Sequence, residues 1–191
     1  VLVDRAEAVR LAVRHLAQRG RQRIGLAVMG VTRPEHRARL DGYRDELAAQ
    51  GLAVDTRLVF NGEPFGLVCA MKDHQTGKWD FPEIVIDRAI DQLVGDNSAD
   101  AIVAHDDFWA AALLRRLRAR GIRVPSDVAL VGYSNHYLAD WTDPPLTTLD
   151  LSHEAAARQM VLMLEQMIHG RAPAPDEWRV MIQPKLIVRE S

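Results

Sequence analysis

The 191 residues include a single cysteine, Cys69. One thiol cannot close an intrachain disulfide, which is compatible with a reducing, cytoplasmic compartment. No apolar run reaches the ~18–20 residues of a transmembrane helix, so no membrane partner is expected, and no signal peptide opens the chain. An excess of charge is missing too: 24 Lys and Arg against 26 Asp and Glu leave a formal net charge of −2. No global basic field therefore favours nucleic acid or an anionic membrane. The richest basic group, Arg19 with Arg21 and Arg23, reads as a solvated helix end. The first residue is Val1 rather than Met, which reads as a fragment or a processed chain.

Catalytic and metal signatures are also missing. TGKW at 76–79 lacks the upstream glycine of a phosphate loop and the hydroxyl that would follow its lysine. There is no GxSxG elbow, no HExxH and no CxxC. His74 with Asp73, and His105 with Asp106, are sequence neighbours, and neighbours rarely point at one ion. Neither a metal nor a cofactor is expected, and the enzyme reading lacks a nucleophile, a base or a cofactor cradle.

What is present is an alternation of two periodicities in a chain that is 48% hydrophobic and 26% charged. Residues 6–20, 36–51, 82–95 and 106–121 carry apolar positions at helical spacing, and each stretch ends in glycine. Residues 24–30, 54–60, 101–105 and 128–132 are short apolar runs that read as strands. This predicts an α/β fold, a parallel sheet with helices on both faces. Ligands of such sheets bind outside the carboxyl ends of the strands, which directs attention to loops 30–39, 61–81, 105–108 and 132–145. The stretch 60–81 is the least regular part of the chain.

Four segments together carry a resemblance. They are VPSDVALVGYSNHYLADWTDPPLTTLDL (124–151), AIVAHDDFWAAALLRRLRARGI (101–122), MGVTRPEHRARLDGYRDELAAQGL (29–52) and PKLIVRES (184–191). In this order and spacing the chain resembles the effector-binding core of the lactose-repressor family of bacterial transcription regulators, a periplasmic-binding-protein-like architecture. The resemblance implies two similar lobes joined by three crossovers, with a small-molecule effector between them. It implies that residues 1–146 form the carboxyl-terminal lobe. Residues 147–175 would be a crossover and a helix belonging to the other lobe, and 176–191 a return to the first. The family's helix-turn-helix headpiece, its route to operator DNA, and most of the amino-terminal lobe would precede Val1. The helix at 152–169 carries a broad apolar surface (Ala155, Ala156, Met160, Val161, Leu164, Met167, Ile168) that is expected to pair with a second copy as a homodimer, or else to dock on its own lobe. The stretch near 61–76 looks like an insertion.

PPLTTLDL looks like the second crossover. Prolines fix φ and restrict the residues before them, and threonines favour extended backbone, so a short stiff connector is expected there. The resemblance also assigns a pocket. Arg39 matches the effector-contacting arginine, offering a planar donor fork, with Arg33 a weaker candidate in the same loop. Trp79 looks like the aromatic that stacks on the effector, with Phe65 as a competing position. Asp106 replaces the usual asparagine, an acceptor where the family has a donor and acceptor. Asp107 is expected to cap the following helix. Ser134 stands where the family often has aspartate, and Asn135 follows. The leading reading is an effector-sensing core for a sugar or sugar derivative. A periplasmic solute-binding protein and an enzyme on a flavodoxin-like sheet are the alternatives.

Overall fold

The computed structural model describes residues 1–62, 71–72, 79–80, 83–171 and 179–191, with backbone alone at 71–72, 79–80 and Glu35. The strands are β1 (Leu2–Val3), β2 (Ile24–Val28), β3 (Val59–Asn61), β4 (Met71–Lys72), β5 (Trp79–Asp80), β6 (Ala101–Val103), β7 (Ala129–Tyr133), β8 (Thr147–Asp150), β9 (Met181–Ile182) and β10 (Lys185–Ile187). The helices are α1 (Arg5–Gln18), α2 (Pro34–Ala49), α3 (Glu83–Ile90), α4 (Asp107–Ala119) and α5 (His153–Ile168).

Six strands form one sheet in the order β10-β8-β7-β6-β2-β3. All neighbours pair in parallel except β10, which runs antiparallel to β8 at the edge. The inner strands are buried on both faces, which is why IGLAV and ALVGY read as continuous apolar runs. Their side chains nevertheless divide with a period of two. Ile24, Leu26 and Val28, Ala101 and Val103, and Val131 and Tyr133 join α1 and α2 in one core. Ala27, Ile102 and Leu130 join α3 and α4 in the other, around Trp109. Both expected layers are therefore present, and the predicted α/β class holds. The expected strand at 54–60 is shorter: Thr56–Leu58 is a 3-10 turn and only Val59–Asn61 pairs. Asp55 accounts for the difference, because its carboxylate accepts the Arg57 N–H and holds the turn.

Two close approaches set the geometry of the layers. A side chain at Gly42 would collide with the Ala6 backbone, so this glycine lets α2 lie against the start of α1. Arg14 then grips Glu46 with a two-bond fork at 2.9 and 2.8 Å. Gly132 faces Asp107, Leu146 at 2.7 Å and Thr148 at 3.2 Å, measured from the position a Cβ would take.

The connector expected from residue 147 onward begins later. Thr147–Asp150 is a strand of the main sheet, buried between β7 and β10. The threonines hold it there: Thr148 Oγ1 donates to Asp107 at 2.5 Å, and Thr147 Oγ1 accepts the Arg189 N–H at 3.0 Å. The chain leaves the sheet at Leu151 and Ser152, and Ser152 adopts a left-handed conformation with φ 52°. Beyond it, α5 buries only Ala156, while Met160, Val161, Leu162, Leu164, Met167 and Ile168 are 43 to 73% exposed. β1 and β9 pair with each other in a separate two-stranded sheet, so Leu2–Val3 and Met181–Ile182 stand outside the six-stranded sheet of the lobe to which the resemblance assigns 1–146 and 176–191.

Two outcomes follow. Gly132→Ala should lower unfolding free energy by about 1–3 kcal/mol, read from urea denaturation, because a methyl has no room there. The exposed face of α5 should make the 191-residue chain self-associate in sedimentation, and Met160→Glu with Leu164→Glu should return it to a monomer.

Candidate functional site

The chain passes from β2 to β3 on one side and then returns to place β6 on the other. Strand order reverses between β2 and β6, and at such a switch point the diverging loops leave a crevice outside the carboxyl ends. The residues that follow β2, β3, β6 and β7 meet there.

After β2 the chain turns at Gly30, φ 84°, and Arg33 leads extended into α2, with Pro34 at the first helical position. His36 is buried, and its Nδ1 bonds the Gly30 carbonyl at 2.7 Å. One turn later comes Arg39, only 6% exposed. Its guanidinium lies over the Tyr133 ring, 3.7 Å from the centroid. Its Nη1 donates to the His105 carbonyl at 2.7 Å. No ion pair joins it to a carboxylate among the described residues, and its Nε is buried without an acceptor, as is the Tyr133 hydroxyl without a partner. Asn61, at the end of β3, accepts the Gly30 N–H at 3.1 Å and ties the third loop in.

The β6 end supplies His105 and Asp106. The His105 Nδ1 receives the Met29 N–H at 3.3 Å and faces Arg39 Nη1 at 3.5 Å. Its ring meets His36 edge-on, with centroids 5.1 Å apart. Burial, and then the charge of Arg39 with His36, Arg33 and Arg5, lower its pKa to about 3, so the ring is neutral. Burial also lowers the pKa of Arg39 and raises that of Asp106, whose charge in turn favours the protonated guanidinium.

The cap expected of Asp107 is supplied by Asp106 instead. Asp106 is extended, φ −154°, and its Oδ1 accepts the Trp109 N–H at 2.7 Å, so it caps α4. Asp107 is already the first helical residue and is 1% exposed. Its carboxylate accepts from Thr148 Oγ1 at 2.5 Å and from the His136 N–H at 2.6 Å. It is a buried latch, not a cap.

At the end of β7, Ser134 and Asn135 both have positive φ, 106° and 48°. Such conformations cost of order 1–3 kcal/mol each and persist only where surroundings enforce them. Here Ser134 N–H bonds Leu149 O at 2.7 Å, and Asn135 Oδ1 accepts from Arg189 Nη2 at 3.1 Å. Arg189 also binds Asp140 at 2.7 Å and the Leu146 carbonyl at 2.8 Å. Asn135 is thereby tied to the chain's last residues.

Arg39 and Asp106 thus lie at adjacent strand ends, with Ser134 and Asn135 one strand further on. Arg33 is exposed at the entry to α2 and makes no side-chain cap bond. Trp79 has only its backbone described, paired with Lys72, and its side chain lies outside the described residues, as does the whole of Phe65. Sequence reasoning passed over His36, His105 as a site residue, and Tyr133. A histidine closing the apolar run AIVAH was the available signal, because a polar ring at a strand's carboxyl end rarely serves the core.

Comparison with known proteins agrees with this fold. The profile of the family described as periplasmic binding protein-like domain matches residues 13–191. The chain belongs to that family, in the form carried by lactose-repressor-type regulators. It is 33% identical to the HTH-type transcriptional regulator CelR of Thermobifida fusca, over 99% of this chain and 50% of that protein. It is 30% identical to the regulator GalR of Salmonella typhimurium, over 100% of this chain and 51% of that one. The chain therefore spans about half the length of the curated relatives it matches. A solved CelR–cellobiose complex superposes with a TM-score of 0.80 at 32% identity, covering 99% of this chain and 52% of that one. A regulator of the family from Chloroflexus aggregans shares the fold, with a TM-score of 0.82 at 22% identity.

The neutral His105 sets a pH test. The unfolded imidazole takes a proton near 6.5 and the folded one only near 3, so the unfolded state binds more protons between these values. This contribution to stability is complete above 6.5 and is lost as pH falls toward 3. In His105→Gln, the dependence of unfolding free energy on pH across that window should flatten by up to about one proton.

Proposed function

We propose that this chain is the effector-sensing part of a bacterial transcription regulator, binding a small polar ligand, a sugar or sugar derivative. The observation that carries the reading is Arg39: a guanidinium at the switch point, stacked on Tyr133, deeply buried, with no carboxylate partner among the described residues. A buried cation left without a counter-charge costs several kcal/mol unless something else completes it. A ligand rich in oxygen acceptors does so. Asp106 and Asn135 are the proposed acceptor and amide, and Trp79 is the proposed stacking face.

Control of DNA passes, in this reading, through a headpiece outside these residues. The second lobe also lies outside them, and α5 with β1 and β9 belongs with it. The regulator acts as a homodimer in the cytoplasm and catalyses no reaction. The relatives support this assignment over solute transport, since those most similar carry the name of transcriptional regulators. No helix among the described residues is long and apolar enough to cross a membrane.

Thermal denaturation against a panel of mono- and disaccharides, with their acids, tests the reading. A cognate ligand at ~100 times its dissociation constant should add ~2.7 kcal/mol to stability. Arg39→Ala should abolish that gain or weaken affinity at least about tenfold, since it removes hydrogen bonds from a charged donor. A ligand-induced gain that survives unchanged in Arg39→Ala would place the ligand elsewhere.

A further inference from the structure

We propose that two copies of this chain associate through the outer face of α4 and the 3-10 turn Tyr137–Asp140, with Trp141 of each copy seated in the groove between α4 and residues 142–144 of the other. The inference rests on the homodimer reading above and names the surface that carries it.

The first support is an aromatic run that the fold leaves in water. Phe108 and His136 have ring centroids 4.6 Å apart, His136 and Tyr137 follow at 4.2 Å, and Tyr137 meets Trp141 edge-on at 6.4 Å. Tyr137 is 69% exposed and Trp141 82%. Their backbone is nevertheless fixed. Ala139 between them is buried, its carbonyl accepts the Leu146 N–H at 2.8 Å, and the Trp141 N–H bonds the Leu138 carbonyl at 3.0 Å. Large aromatic side chains on a fixed backbone, each with one polar edge, are the anchors of contacts between proteins.

The second support is the recess beside them. Ala111, Leu114, Arg115 and Arg118 of α4 line a groove of about 230 Å³ with Thr142 and Asp143. A second recess of about 270 Å³ continues it past Leu114 and Arg118 to Ile122, Val124 and Pro144. Thr142 directly follows Trp141, so the protruding indole and the groove lie side by side on one surface. A twofold axis between them lets each copy give and receive the same contact, which is what an isologous interface requires. The charges share this property. Arg118 and Asp143 pair at 3.1 Å with side chains 73% and 83% exposed, so each is free to meet its counterpart on a second copy. A surface that holds knob and recess, and both signs of charge, complements itself.

The area agrees. At these exposures the two anchors of each copy would together remove about 450–750 Å² from water in the pair. The walls that receive them lose a similar area, which brings the contact to the lower edge of stable interfaces, ~1,200 Å². Alone it holds only transiently, which leaves α5 to govern self-association of the 191-residue chain. In the full-length protein it is the part of the dimer contact that these residues supply.

The test is sedimentation equilibrium of the full-length protein, with circular dichroism confirming that each variant folds. The native protein should be a dimer, and Trp141→Ala should raise its dissociation constant at least about thirtyfold. Arg118→Asp and Asp143→Arg should each weaken the dimer, because each sets like charges against one another across the axis. An equimolar mixture of the two variants should restore association as a heterodimer. Recovery on mixing cannot come from the ion pair within one copy, so it reads the contact between copies. A dimer whose dissociation constant is unchanged by Trp141→Ala overturns the surface and leaves the homodimer reading intact. Charge variants that stay weak when mixed overturn the twofold arrangement. A monomeric native protein overturns the inference and the homodimer reading together.

Discussion

Asp107 is the point at which three site-bearing elements are tied together. Its carboxylate, at the start of α4, accepts Thr148 Oγ1 from β8 and the N–H of His136 from the loop after β7. Gly132 on β7 has no side chain, and the oxygen occupies the space one would take. Burial raises the pKa of Asp107, opposed in part by hydrogen bonds from Thr148 and from the backbone of His136 and Tyr133, and no ion pair joins it among the described residues. Ser134 and Asn135 follow directly from this arrangement. A loop pinned at Gly132 and again at His136 must turn sharply between them, which is where the two positive φ values occur.

Arg39 presents the opposite case. Its stack on Tyr133 and its bond to the His105 carbonyl contribute about 3–5 kcal/mol together, comparable with the several kcal/mol that burial of a guanidinium costs and with no surplus to fix the helix. The surrounding fold is therefore what keeps it in place. Packing of Tyr43 and Leu47 below it fixes α2, and Tyr43 donates to the Ile24 carbonyl at 2.7 Å, anchoring the helix to the base of β2. The stability stored in that core supports a side chain whose own contacts leave no surplus. Sites built for ligands are where such an arrangement is found.

The layers were legible because buried strands and amphipathic helices carry distinct periods, and four of the five described α-helices end at a glycine of positive φ, whereas α3 stops at Ile90 and runs on as a π-helical turn through Gly95. The candidate loops followed from the parallel α/β class, whose ligands sit outside the carboxyl ends of the strands, while the strand order that marks the switch point came from the fold. Side-chain roles were harder to read. Whether Asp106 or Asp107 caps α4 depends on which residue is the last extended one, a difference of a single position that element boundaries in a sequence do not resolve. The threonines of PPLTTLDL read correctly as extended, but extended backbone is equally suited to a connector and to a strand. Hydrogen bonding to Asp107 and to Arg189, a residue 42 positions from Thr147, decided for the strand. Contacts at that separation leave no periodic trace. The prominence of His105 likewise arises from Met29 and Arg39, which are distant in sequence and adjacent only once β2 and β6 pair.

The topology adds a constraint on anything that acts at this site. Three passages connect the six-stranded sheet to β1, β9 and α5: Val3 to Asp4, Leu151 to Ser152, and Ile182 to Pro184. The second leaves the carboxyl end of β8, which is parallel to β7. The third enters the amino end of β10, which is antiparallel and therefore at the same edge. The first leads into α1, which descends antiparallel to β2 and so also begins there. All three leave on the side of the sheet where Arg39, His105 and Asp106 lie. They are bonded to one another, Asp4 N–H to Ile182 O at 3.1 Å and Ser152 Oγ to Gln183 O at 3.1 Å, so they form one narrow bundle at one side of the crevice. α5 leaves through the second of these passages, on the side of the sheet where Arg39 lies buried without a carboxylate partner among the described residues.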